Sequence, residues 1–200
     1  MLLTIEESFL PATLTSGPMT DEQFAEFCAA YPDFMIEMTA EGDVVVMPPN
    51  YTLTGIRNGE IFGQLRDWAI SDGRGIPSDP STGFVLPSGA RRSPDAAWTE
   101  KSRLATLDPA SIERFWHLCP DFVIELKSHT DRLPVLRAKM REWIDNGAHL
   151  GWLIDVERKA VEIYHASGPA EVVVEASEVK GEGPVSGFTL ELGRVWNPLK

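Results

Sequence analysis

Phe122-Val123-Ile124-Glu125-Leu126-Lys127, a periodic segment from Leu136 to Ile144, and Leu150-Gly151-Trp152-Leu153-Ile154-Asp155 together carry the architecture of this chain. The first and last are short apolar runs that end in charged residues, the pattern of strands buried on both faces. Between them, Ser128-His129-Thr130-Asp131 leads into a helix with Pro134 in its first turn. Leu136, Met140, Trp143 and Ile144 lie on one face, and Asn146-Gly147 stops it. Strand, crossover helix, strand is the unit these residues imply, and it places the chain in the α/β class. Side chains alternate along a strand, so Glu125 and Lys127 project from the same face. Lys139 flanks the apolar stripe of the helix, from where its ammonium can snorkel to the strand end that bears Glu125.

A second element joins this one in chemistry. Ser93-Pro94-Asp95 supplies an Asp upstream of Glu125-Leu126-Lys127. Two carboxylates suit a hard cation that prefers oxygen ligands, and a lysine beside them can orient a water and steady charge developing on a phosphate. That is the residue set of a magnesium-dependent nuclease centre. The competing reading is a solvated strand face with a Glu and a Lys two residues apart, and the short motif alone does not decide between the two.

The rest of the chain supplies helices and short strands. Thr20, followed three residues on by Gln23, forms a capping box before Phe24, Phe27 and Cys28, and this first helix stops near Tyr31-Pro32. Phe34–Met38 and Val44–Met47 flank the turn Ala40-Glu41-Gly42-Asp43 and make a hairpin. Thr52–Ser71 reads as the principal early helix, with Ile61, Phe62, Leu65, Trp68 and Ala69 at helical spacing and a stop at Asp72-Gly73. Asn58 falls on its buried stripe, whereas Glu60 sits at the margin, facing either a cleft or solvent. Short strands are expected from Gly75 to Gly89, and a strand from Asp95 to Thr99. A polar connection from Lys101 to Leu118 is broken by Pro109, with room for a short helix from Asp108. Val161–His165, Val172–Glu175 and Phe188–Leu192 read as further strands.

Two hundred residues with 43% hydrophobic content and six Trp make one ordinary domain with a real core. No run approaches the roughly 18 apolar residues of a membrane span, so no membrane association is expected. The N-terminal Met1-Leu2-Leu3-Thr4-Ile5-Glu6-Glu7 has no secretory pattern, and a cytoplasmic location is expected. Cys28 and Cys119 read as buried thiols rather than a disulfide framework or a zinc site. His117, His129, His149 and His165 are scattered without metal-ligand spacing, and Asp121 and Asp155 read as turn or capping groups. The net charge of −12 excludes a generally basic surface. Local cations do gather around the proposed site: Arg91 and Arg92 before Asp95, and Lys127, Arg132, Arg137, Lys139 and Arg141 after it.

A wider set of segments resembles one family. Val46-Met47-Pro48-Pro49, Ser81-Thr82-Gly83-Phe84, Arg92-Ser93-Pro94-Asp95-Ala96-Ala97-Trp98, Cys119-Pro120-Asp121 through Lys127-Ser128, Lys139-Met140 and Gly151-Trp152-Leu153-Ile154-Asp155 occur in the order found in the Uma-type restriction endonucleases. That bacterial group lies within the PD-(D/E)xK nuclease superfamily. The resemblance implies an α/β restriction-endonuclease-like core, a mixed central β-sheet flanked by helices. An N-terminal helix and hairpin (1–50) would precede the catalytic core (51–165), with C-terminal strands (166–200) after it, all in a single domain.

By that likeness Asp95 and Glu125 hold Mg²⁺ (or Mn²⁺), and Lys127 is the lysine of the (D/E)xK element. Lys139 is its rival or partner, because a helix lysine serves in this family where the strand lysine is replaced. Glu60 matches a carboxylate that the superfamily often adds from the first core helix. The activity implied is metal-dependent hydrolysis of nucleic-acid phosphodiesters, with DNA the expected substrate and a homodimer the expected assembly. The alternative is a nuclease fold without catalysis, serving as a nucleic-acid-binding or protein-interaction module.

Overall fold

The computed structural model describes residues 10–109 and 112–200. The stretch Met1–Glu7, read above for targeting signals, lies outside the described residues. Two six-stranded sheets and a two-stranded ribbon are flanked by helices. The first strands and helix are β1 (Ala12–Thr15), α1 (Asp21–Ala30), β2 (Met35–Met38) and β3 (Asp43–Met47). The long helix α2 (Thr52–Asp72) follows, then β4 (Gly75–Ser78), β5 (Phe84–Val85), β6 (Arg91–Arg92), β7 (Ala96–Glu100) and the short α3 (Lys101–Leu104). Next come β8 (Trp116–His117), β9 (Phe122–Lys127), α4 (Leu133–Asp145), β10 (Leu150–Asp155), β11 (Ala160–His165) and β12 (Glu171–Val174). The ribbon of β13 (Glu178–Lys180) and β14 (Thr189–Glu191) and the helix α5 (Gly193–Trp196) complete the chain.

The central unit forms as its periodicity requires. β9 and β10 pair in parallel, Glu125 opposite Leu153, with α4 as the crossover. β7 pairs antiparallel to β9, Ala96 opposite Ile124, so Asp95, one residue before β7, comes alongside Glu125. The sheet order β12-β11-β10-β9-β7-β4 is therefore mixed, with β9 in its interior. One face packs Phe122, Ile124 and Leu126 against Ile61 and Leu65 of α2. The opposite face packs Val123 and Leu153 against Leu136, Met140 and Trp143 of α4. Gly151 allows this second contact, since a Cβ there would stand 2.4 Å from Met140 Cε.

The helix signals hold at their ends. Thr20 and Gln23 form the capping box of α1, and Gly73 closes α2 in the left-handed conformation, φ 75°. The second sheet, β1-β3-β2-β6-β5-β8, ties the N-terminal hairpin to β6 through Met38 and Arg91. The hairpin and the Arg92-Ser93-Pro94-Asp95 segment are thus neighbours, and a residue of β2 can reach the core. Three local readings change. A helical turn absent from the sequence reading lies at Lys101–Leu104, directly after β7 and ahead of the one expected from Asp108. β1, β6, β8 and β13 are additional strands. Cys119 is buried, but Cys28 is only half-buried. Among the described residues no helix is long and apolar enough to cross a membrane.

Candidate active site

Asp95 and Glu125 meet at the ends of β7 and β9, in a cavity also lined by Glu37, Ser93, Ser128 and Lys139. Asp95 is fixed from two sides: Leu126 N–H donates to its Oδ2 at 2.7 Å, and Asn58 Nδ2 of α2 donates to its Oδ1 at 2.7 Å. Glu125, 3% exposed, accepts from Trp143 Nε1 at 2.8 Å and from the Lys139 ammonium. Lys139 and Trp143 are four residues apart on α4, which stacks them on one side of the helix and lets both reach the same carboxylate. Lys139 thus takes the course that its place beside the apolar stripe allows.

Lys139 is held by three acceptors. Its Nζ lies 2.9 Å from Glu125 Oε1, 2.8 Å from Glu37 Oε1 and 3.2 Å from the Ser93 carbonyl. Glu37 also accepts from Ser93 N–H at 3.0 Å and from Arg92 Nη1 at 3.1 Å, while Arg92 Nε donates to Glu142 at 2.6 Å. Glu37 was not singled out from the sequence. Its signal is a lone carboxylate in the apolar strand Met35-Ile36-Glu37-Met38, which must find a partner when buried.

Two sequence candidates stand elsewhere. Lys127 shares the face of Glu125, but it ends β9 about 7 Å further along the strand. There its Nζ donates to Glu157 Oε2 at 2.7 Å, in the turn after β10. It does not line the cavity. Glu60 points into a separate hollow with Gln64 and Glu191, where it accepts from Gln64 at 3.0 Å and lies 3.6 Å from Arg194. Two residues turn a helix by about 200°, so the α2 side chain aimed at Asp95 is Asn58.

The electrostatics follow from burial. Burial pushes the Glu125 carboxyl up to about 7; Lys139 opposes this, while Asp95 and Glu37 add repulsion. Asp95 is raised in the same direction, chiefly by burial. Glu37 is lowered: burial opposes this, but Lys139 and Arg92 outweigh it. The Lys139 ammonium is raised despite burial because Glu125 and Glu37 face it. Lys139 is therefore held as the protonated ammonium between the two carboxylates.

Among the described residues at the site, Glu37, Asp95, Glu125, Asp131 and Glu142 are set against Arg92 and Lys139, an excess of negative charge that fits a divalent cation. Asn58 Oδ1 adds a buried oxygen beside Asp95 with no partner among the described residues. No group of three or more His, Cys, Asp or Glu side chains forms a ready metal cage among those residues. A set of two carboxylates leaves most of a cation's shell to water, which suits Mg²⁺ better than a structural zinc ion, whose shell is closed by four protein ligands.

The other groups weighed from the sequence have local partners. Asp121 accepts from Glu100 N–H and Arg103, and Asp155 caps the turn at Arg158. His117, His129, His149 and His165 lie near Asp21, Glu157, Asp121 and Glu171 respectively.

Residues 21–193 match the model of the Uma2 family, described as "Putative restriction endonuclease". The chain belongs to this family. A solved structure shares the fold of this Uma2 member: a protein from Anabaena variabilis ATCC 29413 titled as a putative nuclease belonging to DUF820. It is 17% identical, with a TM-score of 0.73, covering 90% of this chain and 98% of that one. No curated protein matches the chain. Uma2 membership supports a nuclease function.

Proposed function

We propose that the protein is a divalent-metal-dependent endonuclease of the PD-(D/E)xK type, hydrolysing DNA phosphodiesters with Asp95, Glu125 and Lys139. The observation that carries this reading is Lys139 Nζ, 2.9 Å from Glu125, in the cavity that Asp95 also lines. Asp95 and Glu125 would hold Mg²⁺ or Mn²⁺, which when bound supplies charge neutralisation and a more acidic water.

The chain's own groups set the rest. Asn58 and the Leu126 N–H fix the Asp95 carboxylate, and Trp143 fixes that of Glu125. Lys139, kept protonated by its two carboxylates, would exchange its longest hydrogen bond, to the Ser93 carbonyl, for one to a phosphate oxygen, and its charge would stabilise the negative charge that builds on the phosphoryl oxygens. Glu37, on β2, holds the ammonium in place with a second carboxylate. Lys127 lies outside this arrangement, at Glu157.

The test is cleavage of single- and double-stranded DNA and RNA by purified protein with Mg²⁺ or Mn²⁺, beside Asp95→Asn. Metal-dependent cutting by wild type and its loss in the variant are expected. No cutting by wild type would point instead to a binding module that has kept the nuclease fold, and equal cutting by the variant would overturn the role given to Asp95.

A further inference from the structure

Resting on the reading above, we propose that the site takes an unpaired nucleotide of a single-stranded segment, gripped by an apolar collar at Tyr51, rather than intact duplex. The first observation is charge. Of the described residues lining the cavity, Glu37, Asp95, Glu125 and Asp131 are acidic and Lys139 alone is basic, already engaged by two carboxylates. Of the cations that the sequence gathers nearby, Arg132 is exposed and Arg141 reaches the Gly168 carbonyl and the Tyr164 ring, and the others are paired with carboxylates. Arg91 pairs with Asp21, Arg92 with Glu37 and Glu142, Lys127 with Glu157, and Arg137 with Glu162. Duplex DNA carries about one charge per 1.7 Å and is held chiefly by cations that displace its counterions. This surface offers few such cations, and the chain carries −12 overall.

The second observation is the composition of the mouth. Met35, Met47, Pro48, Pro49, Tyr51 and Leu136 line it beside the carboxylates. Tyr51, the residue before α2, is 64% exposed, and Leu53 and Ile56, one helical turn apart on α2, are each 42% exposed. Tyr51, both exposed and part of the cavity lining, joins this apolar rim to the carboxylates, and such an exposed apolar rim marks a binding surface. The part of a nucleic acid that benefits from it is a base face, which paired and stacked bases do not present. A base on Tyr51 and the prolines would leave its phosphate over Asp95, Glu125 and Lys139.

Two measurements test this. Cleavage by wild type is compared on matched single strand, blunt duplex, and duplex with an unpaired gap. Binding of the same labelled strands to Asp95→Asn protein is followed by fluorescence anisotropy, so that the substrate preference is read even if wild type cuts nothing. Single strand and gap are expected to be preferred by about tenfold or more, with a shallow salt dependence. Tyr51→Ala should raise KM by about tenfold at little cost in kcat, the loss of roughly one base stack, and Tyr51→Trp should restore it. Equal or better binding of intact duplex, or a Tyr51→Ala protein that binds single strand as wild type does, would overturn the proposal.

Discussion

The Lys139 ammonium lies 2.8 Å from the Glu37 carboxylate, so β2 and α4 meet inside the site. This contact and the one to Glu125 make Lys139 a bridge between two buried acids. Glu37→Gln would remove one of them and leave Arg92 with Glu142 alone. Breaking one side of a buried ion-pair network costs about 3–5 kcal/mol, which urea unfolding would register. Cleavage should fall by about tenfold or more as Lys139 loses its fixed position. Wild-type stability and rate in Glu37→Gln would show that the contact does not matter.

The protonation of Glu125 gives the pH dependence a definite sign. Its carboxyl stands near 7 in the folded chain against 4.5 ordinarily. In the metal-free protein the folded state therefore holds a proton that the unfolded state has released between these values. The stability tied to that proton is complete below 4.5 and is lost as pH rises toward 7. A divalent cation needs the ionised carboxylate and must displace the proton below 7. Mg²⁺ should accordingly raise the melting temperature more at pH 8 than at pH 6, in a thermal scan at equal ionic strength. A larger rise at pH 6 would contradict this.

Asn58 orients Asp95 through one hydrogen bond of 2.7 Å. Asn58→Ala should cost about 1–2 kcal/mol of stability and lower the cleavage rate while leaving the Tyr51 collar intact. The expected signature is a fall in kcat, with KM little changed.

Two glycines separate packing from chemistry. A Cβ on Gly75 would stand 2.1 Å from the buried ring of Trp98, whereas one on Gly59 of α2 would meet nothing within 4 Å. Gly75→Ala is expected to destabilise by about 1–3 kcal/mol or more. Gly59→Ala should stabilise by up to about 1 kcal/mol. Chemical unfolding of the two variants checks both signs.

The strand-helix-strand unit around Glu125 was legible because its cues are local: apolar runs, a capped helix and the Asn146-Gly147 stop. The place of Lys139 was legible too, since its flank position on α4 limits where the ammonium can go. For Lys127, strand parity fixes a face and not a partner, and Glu157 arrives from the turn after β10. Glu37 was missed because its partners, Arg92, Ser93 and Lys139, lie 55 or more residues away. Asn58 was seen on the buried stripe of α2 but not as the residue that faces Asp95, because the register of β7 against α2 is a tertiary matter. Of the basic cluster read from the sequence, Arg91, Arg92, Lys127, Arg137 and Lys139 are engaged by carboxylates, which no count of charges reveals.

The two lysines put the account to its most direct test. Initial rates of Mg²⁺-dependent cleavage should be measured side by side for wild type, Lys139→Ala and Lys127→Ala, with folding checked by circular dichroism. Loss of a preorganised charge at the reacting phosphate is worth about 10²–10³ in rate. Lys139→Ala should show that loss, and Lys127→Ala should stay within a few-fold of wild type. A folded Lys139→Ala protein that cuts at the wild-type rate, or a Lys127→Ala protein that has lost cutting, would contradict the site described here.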